Sequence, residues 1–301
     1  MRHVTTLLIL WACAAPAYGK VKLAPIFGDN MVLQREMPVP IWGTAAPREE
    51  VTITFSGQTK ATKADEKGNW QVKLDALKAG GPFELVAAGT NKVTRTNVLV
   101  GEVWVCSGQS NMQWALKQTE KADDEIAASA NDQLRLNQGE WQAAGPGSSG
   151  QFSATGYYFG KALQKALGVP VGLVNRSVGG TSARAWTSKS AILEEPSIKP
   201  YVESILGKDA KGNSGNLYLG MIRPLMPMAI RGVVWYQGES DAGRPNEYAE
   251  LIQTMIRSWR KDWGQGDFPF IYVHMGAIGG VPKTPMDVGW DCPKSRPSAC
   301  P

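Results

Sequence analysis

Four short apolar runs, separated by helical patterns, dominate the chain after about residue 100. The runs occupy residues 103–106, 171–174, 232–236 and 270–273. Runs of this length are typical of strands that are buried on both faces of a parallel sheet. Between them, apolar residues recur at helical spacing over residues 159–167 and 248–259. This alternation of strands and helices predicts an α/β domain, in which helices flank a parallel sheet.

The chain before residue 100 has a different pattern, in which apolar and polar residues alternate. The alternating segments lie at residues 51–55, 70–74, 83–86 and 93–98. Turn-forming residues, such as Gly68 and Asn69, separate them. Short alternating strands with turns between them predict a small antiparallel sandwich or barrel. No helical pattern interrupts this region.

The first 19 residues are typical of an export signal. Arg2 and His3 form a basic start, an apolar run follows over residues 4–15, and small residues suitable for cleavage come next. The run is shorter than the roughly 20 residues that a membrane-spanning helix needs. We therefore expect an exported protein, periplasmic or secreted, without a transmembrane segment. The sequence Leu-Trp-Ala-Cys at residues 10–13 leaves lipoprotein anchoring open as an alternative.

These patterns divide the chain into four parts. Residues 1–19 form the predicted signal, residues 20–99 a β-sandwich-like domain and residues 100–290 the α/β domain. Residues 291–301 contain three prolines and no periodicity, so we predict an unstructured tail there.

Composition excludes several classes of function. The 301 residues are 43% hydrophobic and 20% charged, as in ordinary globular proteins. The net charge of +5 is scattered, unlike the clustered basic face of a nucleic-acid-binding protein, so we expect no nucleic-acid partner. Two histidines, His3 and His274, are too few for a histidine-rich metal site. The cysteines are too few for a disulfide framework, and Cys106 is expected to be a buried thiol.

A serine follows the first apolar run on a glycine turn. Ser110 lies in the segment GQSNM at residues 108–112, directly after the strand predicted at 103–106. This is where α/β folds place nucleophiles and ligands, and backbone N–H groups at the start of a following helix favour an oxyanion. A helix N-cap serine explains the same spacing, so both interpretations stay open.

Two further loops of glycine and polar residues follow later strands. Residues 175–182 follow the second apolar run, and residues 237–241 follow the third. Since the carboxyl ends of parallel strands meet at one edge of the sheet, the three loops should converge on one crevice. Gly180 there offers a backbone N–H and Gln237 a side-chain amide to the charge of a tetrahedral intermediate.

Three blocks of sequence together resemble the sialate O-acetylesterase family of SGNH hydrolases. They are WVCSGQSNM at residues 104–112, GGT at 179–181 and WYQGES at 235–240. The segment NMVLQR at residues 30–35 is also similar to the family's N-terminal β domain. The resemblance extends over about residues 21–290. It implies a flavodoxin-like SGNH hydrolase domain preceded by a small all-β domain.

The resemblance also implies an activity, which is hydrolysis of acetyl esters on sugar hydroxyls without a metal or organic cofactor. Ser110 matches the nucleophile, and its own N–H, Gly180 and Gln237 match the oxyanion hole. We expect Gln109, Asn111 and Glu239 to contact the substrate, an acetylated sugar. The sequence does not indicate an oligomeric state.

Other residues near the loops have two interpretations each. Glu239 and Asp241 either contact sugar hydroxyls or are surface charges. Trp114, Trp186 and Trp235 either stack on sugar faces or fill the core.

The chain departs from the family at one motif. The family's catalytic acid and base lie in a C-terminal DxxH segment, which is absent here. We expect that the chain as written is truncated or frame-shifted near Asp291. His274, after the fourth apolar run, is the remaining candidate for a substitute base; a structural or substrate-facing role is the alternative. Without a base Ser110 is a weak nucleophile, so a non-catalytic carbohydrate-binding protein is the competing hypothesis.

Overall fold

The computed structural model describes residues 19–198 and 214–274. Eight strands come first: β1 (Lys22–Leu23), β2 (Val32–Gln34), β3 (Val39–Thr44), β4 (Glu50–Phe55), β5 (Gln58–Lys63), β6 (Asn69–Leu74), β7 (Gly80–Ala88) and β8 (Lys92–Gly108). β1, β3 and β6 form one antiparallel sheet, while β5, β4, β7 and the first half of β8 form another, with β2 beside β8. Over residues 19–109, all of which are described, no helix interrupts the strands, as the alternating pattern predicts.

Alternation decides which side chains of these two sheets face inward. In β4 the apolar positions Val51, Ile53 and Phe55 are buried, and the polar residues between them are less so. β6 follows the same rule, with buried Trp70, Val72 and Leu74 between exposed neighbours. The inward faces of the two sheets belong to one apolar core, so this part of the chain is a sandwich.

The longest strand, β8, belongs to both parts of the molecule. Its first half pairs antiparallel with β7, and its second half pairs parallel with later strands. The domain boundary predicted between residues 99 and 100 therefore falls inside a continuous strand. The division into domains stays a prediction.

The remaining strands build the parallel sheet on the second half of β8. They are β9 (Asn131–Asn137), β10 (Trp141–Ala144), β11 (Val171–Ser177), β12 (Gly232–Tyr236) and β13 (Phe270–Tyr272). Their spatial order is β10-β9-β11-β8-β12-β13, with only β10 antiparallel to its neighbour. The chain therefore adds strands on one side of β8 first and then on the other. Crevices at the carboxyl ends of strands open at such a reversal.

Helices cover both faces of this sheet. They are α1 (Ser110–Gln113), α2 (Ala122–Ala127), α3 (Ala154–Leu167), α4 (Ala183–Trp186), α5 (Lys189–Glu194) and α6 (Pro245–Trp263). Short 3₁₀ turns lie at Leu116–Gln118, Ser149–Gln151, Arg223–Leu225 and Glu239–Asp241, and Tyr218–Ile222 forms a π-helical turn. Successive β8 residues point to opposite faces, so Val105 packs in the core that contains α6 and Cys106 in the core that contains α3. The α/β architecture predicted from the apolar runs is confirmed.

Buried charge joins the sandwich to the parallel sheet within β8, where its second half begins. The Glu102 carboxylate accepts hydrogen bonds from Arg35 Nε and Arg231 Nε, both at 2.6 Å. Burial raises the pKa of Glu102, but the hydrogen bonds from the two guanidinium groups more than offset it, so the pKa lies below its ordinary value. This cluster holds β2, β8 and the start of β12 together.

Some predictions fall on residues that are not described. The export signal with Cys13, the segment after His274, and the tail with Cys292 and Cys300 lie outside the described residues, except for Gly19 at the end of the signal. Cys106 is a buried free thiol as expected, and burial raises its pKa to about 12. None of the described helices has both the length and the apolar character needed to cross a bilayer.

Candidate active site

Ser110 is presented to solvent by a turn that only glycine can make here. Gly108, the last residue of β8, has a φ of +141°, and a Cβ on it would lie 2.1 Å from the carbonyl oxygen of Tyr236. The next residue, Gln109, donates its N–H to that same carbonyl at 3.0 Å. The chain then turns at once into α1, whose first residue is the exposed Ser110. Close packing against β12 therefore fixes the turn that carries the serine.

The loop after β11 lies directly against this turn. The N–H of Gly179 donates to Gln113 Oε1 at 2.7 Å, which ties the loop to α1. A Cβ on Gly179 would lie 3.6 Å from the Cβ of Ser110. The convergence of these two loops, predicted because both follow the carboxyl ends of strands in one parallel sheet, is therefore present in the structure.

Two backbone donors at this junction have no internal acceptor. Within residues 19–198 and 214–274, neither the N–H of Ser110 nor the N–H of Gly180 is hydrogen-bonded. Gly180 has a φ of +69° and open space where a side chain would stand. Unpaired N–H groups beside an exposed hydroxyl are what a tetrahedral oxyanion requires.

Gln237, the third predicted oxyanion donor, is oriented inward. Its Nε2 lies 3.1 Å from Gln109 Oε1, 3.1 Å from the carbonyl of Thr181 and 2.6 Å from Asp241 Oδ2. An amide nitrogen has two hydrogens, so these three acceptors already exceed its capacity. The side chain joins the loops after β8, β11 and β12. Its role toward an oxyanion stays a prediction.

Asp241 has a role that the sequence did not reveal. It is buried, and its carboxylate accepts hydrogen bonds from the hydroxyl of Ser182 and, at 2.9 Å, from the N–H of Ala183. With the contact to Gln237, it anchors the start of α4 to the loop after β12. Asp241 is therefore neither a surface charge nor placed to contact sugar. No short-range pattern signals this, because its partners Ser182 and Ala183 lie 59 and 58 residues away.

Tyr248 completes the support of Gln237. Its hydroxyl donates to the backbone carbonyl of Gln237 at 2.9 Å. Burial raises the pKa of Tyr248, so the phenol stays protonated and serves as a donor. In the sequence Tyr248 is one of the apolar-face residues of a helix, and nothing distinguishes it from its neighbours.

The three predicted substrate contacts occupy different positions. Gln109 is buried and faces Gln237 and the N–H of Ser240, so its side chain is part of the internal network. Asn111 Nδ2 donates to Glu239 Oε1. The other oxygen of Glu239 is buried without a hydrogen-bond partner among the described residues. Asn111 also lines an open cavity, whereas Gln109 does not.

That cavity lies beside α1 and has a volume of about 360 Å³. Its walls include Asn111, Trp114, Thr119, Thr155, Tyr158 and Tyr236. Of the three tryptophans considered for sugar stacking, Trp114 is 48% exposed and lines this cavity. Trp186 and Trp235 are buried and pack edge to face in the core with Trp259, so for them the core interpretation is confirmed.

His274 lies on the far side of β12 from Ser110. The register aligns Ser107 of β8, Trp235 of β12 and Tyr272 of β13, so two residues further on His274 lies level with Gln237 and Gln109. Two strand spacings separate its backbone from that of Gln109, which is about 10 Å. The side chain is exposed.

No base contacts the nucleophile in the described part of the chain. Ser110 Oγ makes no hydrogen bond to any residue of 19–198 or 214–274. Nor do the described residues contain a cluster of three or more side chains able to hold a metal ion. The site thus has an exposed hydroxyl and two unbonded backbone N–H groups, and no described group accepts a hydrogen bond from the serine hydroxyl.

Comparison with known proteins relates this arrangement to carbohydrate esterases. The chain is 32% identical to human sialate O-acetylesterase over 317 residues, which is 90% of this chain and 60% of that protein. The mouse enzyme of the same name is also 32% identical, covering 94% of this chain and 65% of the mouse protein. The chain therefore spans about three fifths of the length of these relatives.

A solved structure shows the same fold. The crystal structure of a carbohydrate acetylesterase from Xanthomonas citri superposes with a TM-score of 0.75 at 36% identity, over 84% of this chain and 60% of that one. The family described as carbohydrate esterase, sialic acid-specific acetylesterase, matches residues 100–288, which include all three loops of the site. The chain belongs to this family of sialic acid-specific acetylesterases.

Proposed function

We propose that this protein is a carbohydrate O-acetylesterase that forms an acyl-enzyme on Ser110. The observation that carries the proposal is the pair of unbonded N–H groups of Ser110 and Gly180 next to the exposed serine hydroxyl. Membership of an acetylesterase family supports the same reaction. It favours an esterase over a protein that only binds carbohydrate.

In the first half-reaction Ser110 Oγ attacks the carbonyl carbon of the acetyl ester. The N–H groups of Ser110 and Gly180 donate to the oxyanion of the tetrahedral intermediate. When the intermediate collapses, the bond to the sugar oxygen breaks, and the proton lost by the serine ends on the sugar hydroxyl. Asp241 and Tyr248 hold the loop that contains Gln237 in place. The Gln237 amide supplies a third donor to the oxyanion when it releases one of its three internal acceptors.

In the second half-reaction water attacks the acetyl-serine and releases acetate. Both steps need a group that accepts and returns a proton. His274 is the imidazole that the described structure offers, at the carboxyl end of β13. Where no base assists, the oxyanion hole and binding alone give about 10³–10⁴-fold acceleration over water.

The substrate we propose is an acetylated sugar, and the location is outside the cytoplasm. The relatives named sialate O-acetylesterase support an acetyl ester on a carbohydrate hydroxyl. Export, to the periplasm or the medium, rests on the basic and apolar N-terminal residues. The sandwich and the α/β region are proposed as two domains that share β8.

The proposal is tested with a chromogenic acetyl ester and the purified mature chain, beside its Ser110→Ala variant. We expect wild-type turnover and its loss in Ser110→Ala, with both proteins unfolding cooperatively at similar denaturant concentrations. A wild type that folds but hydrolyses the ester no faster than Ser110→Ala contradicts the proposal and leaves a carbohydrate-binding protein.

A further inference from the structure

The cavity lined by Asn111, the residue after Ser110, combines exposed aromatic rings with small neutral polar groups. Trp114 and Tyr158 are 48% and 41% exposed, and Tyr236 forms a further aromatic side. Asn111 and the hydroxyls of the two lining threonines are the polar groups. Aromatic faces with a few hydrogen-bonding groups suit a pyranose ring, which has apolar C–H faces and a polar edge. The volume of about 360 Å³ lies within the range of small-molecule sites.

The aromatic wall is held in place by hydrogen bonds. The indole N–H of Trp114 donates to the carbonyl of Gln118 at 3.2 Å, and the backbone carbonyl of Trp114 accepts from Ala154 at 2.8 Å. An antiparallel bridge between Ala115 and Ser153 joins the segment after α1 to the start of α3. An exposed ring that is fixed in this way loses little conformational freedom when a ligand stacks on it.

The charged and uncharged side chains at the cavity favour neutral sugars over anionic ones. None of its seven lining residues is acidic or basic. Directly behind Asn111 lies the carboxylate of Glu239, which accepts the Asn111 amide hydrogen. An anionic sugar would bring its carboxylate toward Glu239 with no basic side chain among the lining residues, and like charges at short range repel. A neutral sugar ring has no charge for the Glu239 carboxylate to repel.

We propose that this cavity is the sugar subsite of the esterase and that it prefers neutral acetylated pyranosides to acetylated sialic acids. Trp114 and Tyr158 are the stacking residues, and Asn111 contacts sugar hydroxyls. The inference rests on the proposed function, because it takes the Ser110 site as the point where the acetyl group is bound.

Binding to the Ser110→Ala variant tests the subsite without consuming the ligand. The probes are methyl 6-O-acetyl-glucopyranoside and 9-O-acetyl-N-acetylneuraminic acid, measured by calorimetry or ligand-observed NMR. We expect the neutral sugar to bind at least about fivefold more tightly than the sialic acid. Adding Trp114→Ala to the Ser110→Ala variant should weaken binding of the neutral sugar by about tenfold or more. Trp114→Phe should keep most of the affinity because a ring remains.

Two further variants make the test specific. Tyr158→Ala removes a ring on a different element, α3, and should also weaken binding, so misfolding at one position cannot decide the result. Leu219→Ala removes an exposed apolar side chain elsewhere and should leave binding unchanged. Tighter binding of the sialic acid, affinity that is indifferent to Trp114 and Tyr158, or no sugar binding by folded protein each overturns the proposal.

The outcome is separable from that of the proposed function. If Ser110→Ala binds the neutral sugar through Trp114 but the wild type hydrolyses no ester, the subsite stands and the esterase proposal fails. If the wild type forms an acetyl-enzyme at Ser110 while sugar affinity does not depend on Trp114, the esterase proposal stands and the subsite proposal fails.

Discussion

The two sides of the nucleophile differ in how firmly they are built. On one side, buried hydrogen bonds among Gln109, Gln237 and Asp241 join the loops after β8, β11 and β12. On the other side, beyond β12, β13 has only β12 beside it among the described strands, and exposed His274 follows it. The side of the site that carries the proposed oxyanion donors is preorganised, whereas the side that carries the remaining histidine makes no hydrogen bond to the serine among the described residues.

Of the two parts of the proposed catalysis, the described residues complete one. Oxyanion stabilisation depends on fixed backbone donors, and these follow from strand packing among the described residues. Activation of the serine depends on one positioned base, and the strand nearest to a histidine is two positions away from β8. Four substitutions and one pH dependence test this contrast.

Gly108→Ala should disrupt the hydrogen-bonded side of the site, where the loops after β8, β11 and β12 meet. Its new Cβ would lie 2.1 Å from the Tyr236 carbonyl, so β8 and β12 would have to separate, and we expect the free energy of unfolding to fall by more than about 3 kcal/mol. Gly139→Ala is the matched control, since Gly139 also has a positive φ (+120°) but open space, and should cost about 1 kcal/mol. Equal losses in urea titrations would show that the close packing is not what fixes the turn.

Glu102→Gln should lower stability without altering the site. Removing the charge leaves Glu36, at 3.5 Å from Arg35 and 3.4 Å from Arg231, as the anion that they share. Both arginines also keep contact with solvent, so we expect a loss of about 2 kcal/mol. Glu66→Gln, in an exposed pair with Arg48, should change stability by less than about 0.5 kcal/mol. Ester hydrolysis per folded molecule should be unchanged in both, and a specific loss in Glu102→Gln would mean that the middle of β8 influences Ser110.

The same carboxylate predicts a pH dependence. The folded pKa of Glu102 lies below its ordinary value of 4.5, so its contribution is complete above about pH 4.5 and is lost as the pH falls through the folded pKa. Denaturation midpoints should therefore fall more steeply below pH 4.5 in the wild type than in Glu102→Gln. Parallel pH profiles of the two proteins would contradict this assignment.

Asp241→Asn should weaken the hydrogen-bonded side of the site without abolishing it. The new amide oxygen can still accept from the Gln237 amide and the Ala183 N–H, which both donate to Oδ2. Its NH₂ group then faces the Ser182 hydroxyl, which now donates to Oδ1, and the charge is lost, so the hydrogen bonds that align the loops should weaken. We expect kcat for a simple acetyl ester to fall about tenfold with KM little changed. Asp262→Asn, which alters a carboxylate bonded to Tyr218 at the end of α6, should leave kcat unchanged. A change in KM alone for Asp241→Asn would indicate substrate contact instead of positioning.

His274→Ala should have the smallest effect. At about 10 Å from the backbone of Gln109, an exposed imidazole is not set to take the serine proton, so we expect less than about a twofold change in ester hydrolysis. A loss of a hundredfold or more, with a shift in the pH–rate profile, would show that His274 reaches Ser110 and acts as an unorthodox base.

Much of the fold could be predicted from local patterns. The alternating segments became β4 and β6, and the apolar runs became strands of the parallel sheet with α3 and α6 between them. The continuity of β8 could not be predicted, because its two halves have different patterns, one half-exposed and one buried on both faces. The β9–β10 hairpin was not predicted either: Asn131–Asn137 is mostly polar, and tertiary packing buries its last four residues.

The site was predictable only as far as strand order allows. The carboxyl ends of adjacent strands bring Ser110 and Gly180 together, and that followed from the sequence. The directions of Gln109, Gln237 and Asp241 did not, since each is set by hydrogen bonds to residues far away in the chain. Trp114 is exposed in the structure whereas Trp186 and Trp235 are buried, and composition cannot predict this difference.

The most direct test of an acyl-enzyme at Ser110 is to locate the acetyl group after reaction. The folded wild-type protein is mixed with 4-nitrophenyl acetate, quenched in acid and digested, and the peptides are analysed by mass spectrometry. We expect one acetyl group on the peptide that contains Ser110, released on further incubation and absent from Ser110→Ala. Ester hydrolysis without acetylation of Ser110, or no reaction by a cooperatively folded protein, would contradict it.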